Sequence, residues 1–169
     1  MFEGDQDLDL ACGELSVSFV DHGKDPLTLG KMVCQTDMMA PPEARAHYAS
    51  EEYKTELAAL VKACRAKLDT GIGAKLFDQW RAKEHEIGGP YRLIVFGALM
   101  IRAGAEIRAK DLEHLRELVR QVRSRPGFSW AFDDDGFRDP GKVQFLTALD
   151  NYKAGTPRNF GDPRYAPPI

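Results

Sequence analysis

The longest uninterrupted apolar stretch of the chain runs from Leu93 to Ile101, where no side chain carries a formal charge or a hydrogen-bonding group. A helix that is apolar on every side must be buried on every side. Pro90 suits a first helical position, and Gly104 suits a left-handed C-terminal stop. The pattern therefore predicts a buried central helix over residues 90–104. It is shorter than the ~20 apolar residues that span a bilayer, so we expect no membrane partner.

Apolar residues recur at helical spacing on both sides of this stretch. Ser50 is a good N-cap, and the helix predicted after it has one apolar stripe: Tyr53, Leu57, Leu60, Val61, Cys64 and Leu68. A shorter helix is predicted over about 73–85, and an amphipathic helix begins at Asp111. Asp139 and Pro140 indicate the start of a last helix. This helix is predicted to run through Val143, Leu146, Leu149 and Tyr152.

These elements predict a mainly all-α fold, a single-domain helical bundle packed around the central helix at about 90–104. Apolar alternation also permits a short β hairpin near residues 15–35, with strands over about 15–20 and 31–35, although an isolated hairpin is only marginally stable. We place the single helical domain at residues 1–155. Residues 156–169 are rich in proline, and we expect an extended C-terminal tail.

Charge and cysteine content narrow the class of protein. The length of 169 residues fits one domain. The net charge of −3 argues against a nucleic-acid partner. The region after Met1 is acidic and lacks the pattern of a secretory signal, so we expect a cytoplasmic protein. Cys12, Cys34 and Cys64 are odd in number and far apart, which indicates reduced thiols rather than a disulfide framework.

Three stretches resemble one family of small uncharacterised proteins that are common in fungi. They are residues 2–11 (Phe-Glu-Gly-Asp-Gln-Asp-Leu-Asp-Leu-Ala), 91–100 (Tyr-Arg-Leu-Ile-Val-Phe-Gly-Ala-Leu-Met) and 152–161 (Tyr-Lys-Ala-Gly-Thr-Pro-Arg-Asn-Phe-Gly). The last is similar to a closing Tyr-Lys-x-Gly-x-Pro motif. The chain lacks the initial Trp-Gly pair of that family. The resemblance implies a shared helical fold, and it implies no catalytic residues because the family has no assigned activity.

Histidine is the usual general base near neutral pH, so the histidines are the first catalytic candidates. The candidates for a small cofactor-free enzyme of the isomerase, cyclase or lyase type are Asp21, His22, Asp37, His47 and Tyr48. The alternative for His22 is a solvated turn residue, and for His47 and Tyr48 a loop packed on the core. His114 lies among charged neighbours in the helix that begins at Asp111, and we expect it to be exposed.

The sequence gives little support for a metal site. The histidines lack the i, i+4 spacing of a helical zinc site. The spaced acids Asp5, Asp7 and Asp9 lack the glycine and glutamate of a calcium loop, and they suit a helix N-terminus instead. Asp133–Asp135 form an acidic turn that could bind a hard cation, but a solvated turn is the simpler interpretation. We predict no metal and no cofactor.

Methionine and aromatic residues in the irregular segments suggest a second function, that of a binding module. The candidate ligand-binding residues are Met38, Met39, Phe128, Trp130 and Phe132. Such residues often line binding sites, although they also anchor ordinary loops. The predicted partner is a small apolar molecule or another protein held in a groove. Homodimerisation through the helix that begins at Asp111 is a further alternative.

Overall fold

The computed structural model describes residues 29–32, 42–122, 124–125 and 137–158. In chain order, these form a 3-10 helix (Leu29–Met32), α1 (Pro42–Ala49), α2 (Glu51–Lys67), a π-helical turn (Leu68–Ile72), α3 (Gly73–Arg81), α4 (Gly89–Ala103), α5 (Ala109–Gln121), β1 (Ser124–Arg125), β2 (Phe137–Arg138) and α6 (Asp139–Asp150). The two short strands pair in parallel. The predicted all-α bundle is confirmed.

Helix α4 is the buried centre that the sequence predicts. Every residue from Leu93 to Ile101 is buried, and no apolar side chain among them is more than 2% exposed. Gly88 and Gly104 adjoin the two ends with φ angles of 75° and 67°, in the left-handed region that favours glycine. The N–H of Gly104 donates to the Ile101 carbonyl at 3.0 Å, which helps to close the last turn.

Helices α3 and α5 both pack against α4, and both run antiparallel to it. In α3, the rings of Phe77 and Trp80 lie edge-on to Phe96, with centroid distances of 4.8 and 4.6 Å. In α5, Leu115 packs directly over Gly97, where a Cβ atom would lie 2.6 Å from a Leu115 methyl carbon. Because α3 and α5 both run antiparallel to α4, they run parallel to each other.

The chain closes over the C-terminal end of α4 just after α6. The Tyr152 hydroxyl donates to the Ala105 carbonyl at 2.7 Å and accepts from the Ile107 N–H at 2.8 Å. Burial raises the pKa of this hydroxyl. The N–H of Gly155 donates to the Gly104 carbonyl at 2.9 Å. Residues 153–158 therefore continue the packing of the bundle, whereas most of the predicted tail, 159–169, lies outside the described residues.

A buried arginine anchors the 3-10 helix to the central helix. Arg102 is only 2% exposed, and its Nε donates to the Met32 carbonyl at 3.0 Å. The side chains of Leu29 and Met32 are buried in the core. Cys64 in α2 is also buried. The core thus includes the 3-10 helix in addition to the α-helices.

The possible second strand of the hairpin is not formed at its described positions. Residues 31 and 32 belong to the 3-10 helix, and the rest of the hairpin considered near 15–35 lies largely outside the described residues. Val143 in α6 is 61% exposed. The buried side of α6 consists of Phe145, Ala148 and Leu149, so the inward stripe is rotated away from Val143. Among the described residues, no helix is both long and apolar enough to cross a membrane.

The contact between Gly97 and Leu115 predicts that the core does not tolerate a larger residue at position 97. We expect Gly97→Leu to lower the free energy of unfolding by ~1–3 kcal/mol, because overpacking outweighs the gain in helix propensity. Chemical denaturation measures the change. Ala59→Leu on the exposed side of α2 is the matched control and should change stability little. Equal stability of Gly97→Leu and the native protein would contradict this placement of α5.

Candidate functional site

Two of the predicted site residues, His47 and Tyr48, lie within the described part of the chain. The other predicted catalytic and ligand-binding residues lie outside it: Asp21, His22, Asp37, Met38, Met39, Phe128, Trp130 and Phe132. The acidic turn Asp133–Asp135 also lies outside it. Of the predicted site residues, a site within the described part of the chain can therefore include His47 and Tyr48 alone.

His47 and Tyr48 lie at the end of α1, where they form a cluster of three rings with Tyr53 from the first turn of α2. The ring centroids of Tyr48 and Tyr53 are 4.9 Å apart, and those of His47 and Tyr53 are 5.0 Å apart. The His47 and Tyr48 centroids are separated by 6.0 Å. His47 is exposed, and both tyrosines are half-buried. We call these three residues the aromatic face.

Ser50 holds the two halves of the aromatic face together. Its hydroxyl donates to the His47 carbonyl at 2.6 Å and accepts from the Tyr53 N–H at 3.1 Å. The predicted Ser50 cap is thereby confirmed, and it also sets the corner between α1 and α2. In the described part of the chain, no carboxylate is hydrogen-bonded to the His47 ring. The arrangement consequently offers ring surfaces for contact rather than an assembled acid–base pair.

A second arrangement, which the sequence analysis did not identify, lies between α3 and α5. Three pairs of an acidic and a basic side chain connect the two elements at intervals of three residues, and we call them the ion-pair ladder: Asp78–Arg108, Arg81–Asp111 and Glu84–His114. Acidic and basic side chains alternate along each side. The parallel direction of α3 and α5 explains the constant register, since each pair joins residues thirty positions apart.

The middle of the ladder contains a buried carboxylate. The Asp111 side chain is completely buried, and one of its oxygens accepts a hydrogen bond from Arg108 Nε. Its other oxygen, Oδ1, lies 3.7 Å from Arg81 Nη1 and has no hydrogen bond among the described residues. Asp111 lies inside α5, which begins two residues earlier than predicted. Its carboxylate therefore depends on two arginines for charge compensation.

The outer pairs are tighter than the middle one. Arg108 donates to both oxygens of Asp78, at 2.7 and 2.9 Å, and these hydrogen bonds lower the pKa of Asp78 to about 2. His114 Nε2 lies 2.6 Å from Glu84 Oε2. The His114 side chain is only 19% exposed, so the expectation that His114 is exposed is wrong. Contact with the carboxylate of Glu84, in the turn after α3, explains why the His114 side chain is largely buried.

Within the described ranges, no group of histidine, cysteine and acidic residues has the geometry of a metal site. No family model, curated protein or solved structure matches the chain. The aromatic face and the ion-pair ladder are therefore the two candidate sites within the described residues.

Burial of Asp111 generates a prediction about stability. We expect Arg108→Met to cost ~3 kcal/mol, because removing one partner leaves a buried carboxylate poorly compensated. A second change, Asp111→Leu, should restore most of the loss, since an apolar pair can replace a buried ion pair. Thermal and denaturant unfolding of the two variants check this.

Lys110→Met is the matched control for this prediction. Lys110 is an exposed cation on the same turn, and it contacts only the exposed carboxylate of Asp78. Loss of such a surface pair changes stability little. Equal stability of Lys110→Met and Arg108→Met would show that Asp111 does not depend on Arg108.

Proposed function

We propose that this protein is a binding module that holds a segment of a partner protein against the aromatic face. The observation that carries the proposal is the cluster of His47, Tyr48 and Tyr53 at the surface, with neighbouring centroids 4.9–6.0 Å apart. Tyrosine is enriched at protein interfaces because its ring offers a large contact area and a polar end. Two helices already fix the rings, so little side-chain entropy is lost on binding.

Packing of the described core favours a surface site over an internal one. A Cβ atom at Gly73 would lie 2.5 Å from Met100 Cε, and one at Gly97 would lie 2.6 Å from Leu115. These close contacts at Gly73 and Gly97 leave no room for a ligand beside α4. A small apolar molecule bound outside the described core remains the alternative to a protein segment.

We also propose that the methionine and aromatic residues predicted from the sequence take part in binding the partner. Met38 and Met39 precede α1 by only a few residues, and flexible methionines suit adaptable binding surfaces. Phe128, Trp130 and Phe132 belong to the segment between β1 and β2, and these strands contact α6. The same proposal includes a groove formed by these residues. It also includes a homodimer, a cytoplasmic location and kinship with the fungal proteins.

Selection of random dodecapeptides displayed on phage, with the whole protein as bait, tests the binding module. We expect enriched peptides to bind Tyr48→Ala about tenfold more weakly than the native protein, because tyrosine is enriched among the few interface residues whose truncation costs more than ~1 kcal/mol. His85→Ala, an exposed histidine outside the aromatic face, should bind them unchanged. Absence of enriched peptides, or equal affinity of Tyr48→Ala, would exclude this role for the aromatic face.

A second candidate function is a cofactor-free enzyme that uses the Glu84–His114 pair. Its basis is the 2.6 Å contact, in which a carboxylate orients an imidazole as in many general bases. This pair replaces the Asp21–His22 hypothesis in the described part of the chain. A purely structural pair between the turn after α3 and α5 would have the same geometry.

Incubation of the purified protein with a cell metabolite extract, followed by untargeted mass spectrometry, separates these two explanations. An enzyme should change the abundance of particular metabolites, and His114→Gln should abolish the change because it removes the proton-transfer group. His85→Gln is the matched control. If the native protein and His114→Gln leave identical extracts, the pair is structural.

A further inference from the structure

We infer that the segment bound at the aromatic face is basic and presents lysine or arginine side chains to the rings. The inference rests on the proposed binding function and adds the chemistry of the partner. Its starting point is the ring cluster itself. The face of a tyrosine ring attracts a cation that lies within about 6 Å of the ring centroid, and arginine makes this contact most often.

Acidic residues surround the rings on both helices. Glu43 lies one turn before His47 on α1, and Glu56 lies one turn after Tyr53 on α2. Glu51 and Glu52 open α2 beside the corner. All four are exposed. Residues 42–58 carry these four glutamates and only two basic residues, Arg45 and Lys54, so the corner is negatively charged.

Two of these glutamates, Glu52 and Glu56, are positioned for an external cation. Glu51 is already paired with Lys54 at 2.6 Å. Glu52 and Glu56 stand four residues apart on α2 and make no ion pair with any described residue. Like charges at this spacing destabilise a helix. A basic partner would neutralise this pair and place its cations beside Tyr53, so the charge and the rings favour the same ligand.

Direct contacts of a cation with the rings and with the carboxylates reinforce one another. An arginine stacked on Tyr48 or Tyr53 keeps its N–H groups free to bind a carboxylate in the plane of the guanidinium. An apolar or acidic segment would gain only the ring contacts or would be repelled by the glutamates. Charge complementarity therefore selects a basic segment among the possible protein partners.

The peptide selection tests this chemistry when it is combined with charge variants. We expect the enriched dodecapeptides to contain more lysine and arginine than the unselected library. In fluorescence anisotropy, the double variant Glu52→Gln/Glu56→Gln should bind an enriched peptide about fivefold more weakly than the native protein at low salt. The difference should shrink as salt is raised, because exposed charges are screened.

The matched control is Glu113→Gln/Glu117→Gln, which removes two exposed glutamates of the same spacing from α5 and should leave the affinity unchanged. Peptides that require Tyr48 but lack basic residues, or that bind the Glu52→Gln/Glu56→Gln variant equally well, would overturn the inference and leave the binding module intact. Failure to enrich any peptide would overturn both. Removal of like charges should not unfold α2, so a lost affinity reports on binding.

Discussion

Complete burial of α4 is the constraint on which the rest of the structure depends. Its side chains from Leu93 to Ile101 are apolar in every direction, so each direction requires a neighbouring element to exclude water. The 3-10 helix and helices α2, α3, α5 and α6 supply these neighbours. Gly97 brings α5 close enough for Leu115 to contact the α4 backbone surface. Short connections at Gly88 and Gly104 then require α3 and α5 to run antiparallel to α4.

The ion-pair ladder follows from this arrangement. Because α3 and α5 run parallel to each other, residues at intervals of three along the two elements can meet repeatedly. Burying the Asp111 carboxylate costs desolvation energy, which a hydrophobic pair would avoid. The charges instead fix the register of α5 along α3, because a shift of α5 by one turn would place Asp111 beside Asp78 or Glu84. We therefore interpret the ladder as the device that fixes how α3 and α5 are aligned.

Sequence reasoning succeeded where the determinants are local. The α4 boundaries follow from Pro90 and Gly104, and the start of α2 follows from Ser50, because caps act within a few residues. It missed the ladder because each partner lies thirty positions away, although alternating charges at 78, 81 and 84 and at 108, 111 and 114 were a usable signal. It also missed α1, because the loop considered for His47 and Tyr48 is a helix that begins at Pro42, and proline suits a helical start.

The aromatic face and the ion-pair ladder differ in how their charges are used. Each acidic side chain of the ladder has a basic partner within 3.7 Å, so an external ion would have to displace an internal partner. Around the aromatic face, by contrast, Glu52 and Glu56 repel each other and gain only when a cation arrives. A cation brought by a partner therefore changes the electrostatic energy most at the corner of α1 and α2. This difference supports the proposal that a partner binds at the aromatic face, whereas the ladder aligns the helices.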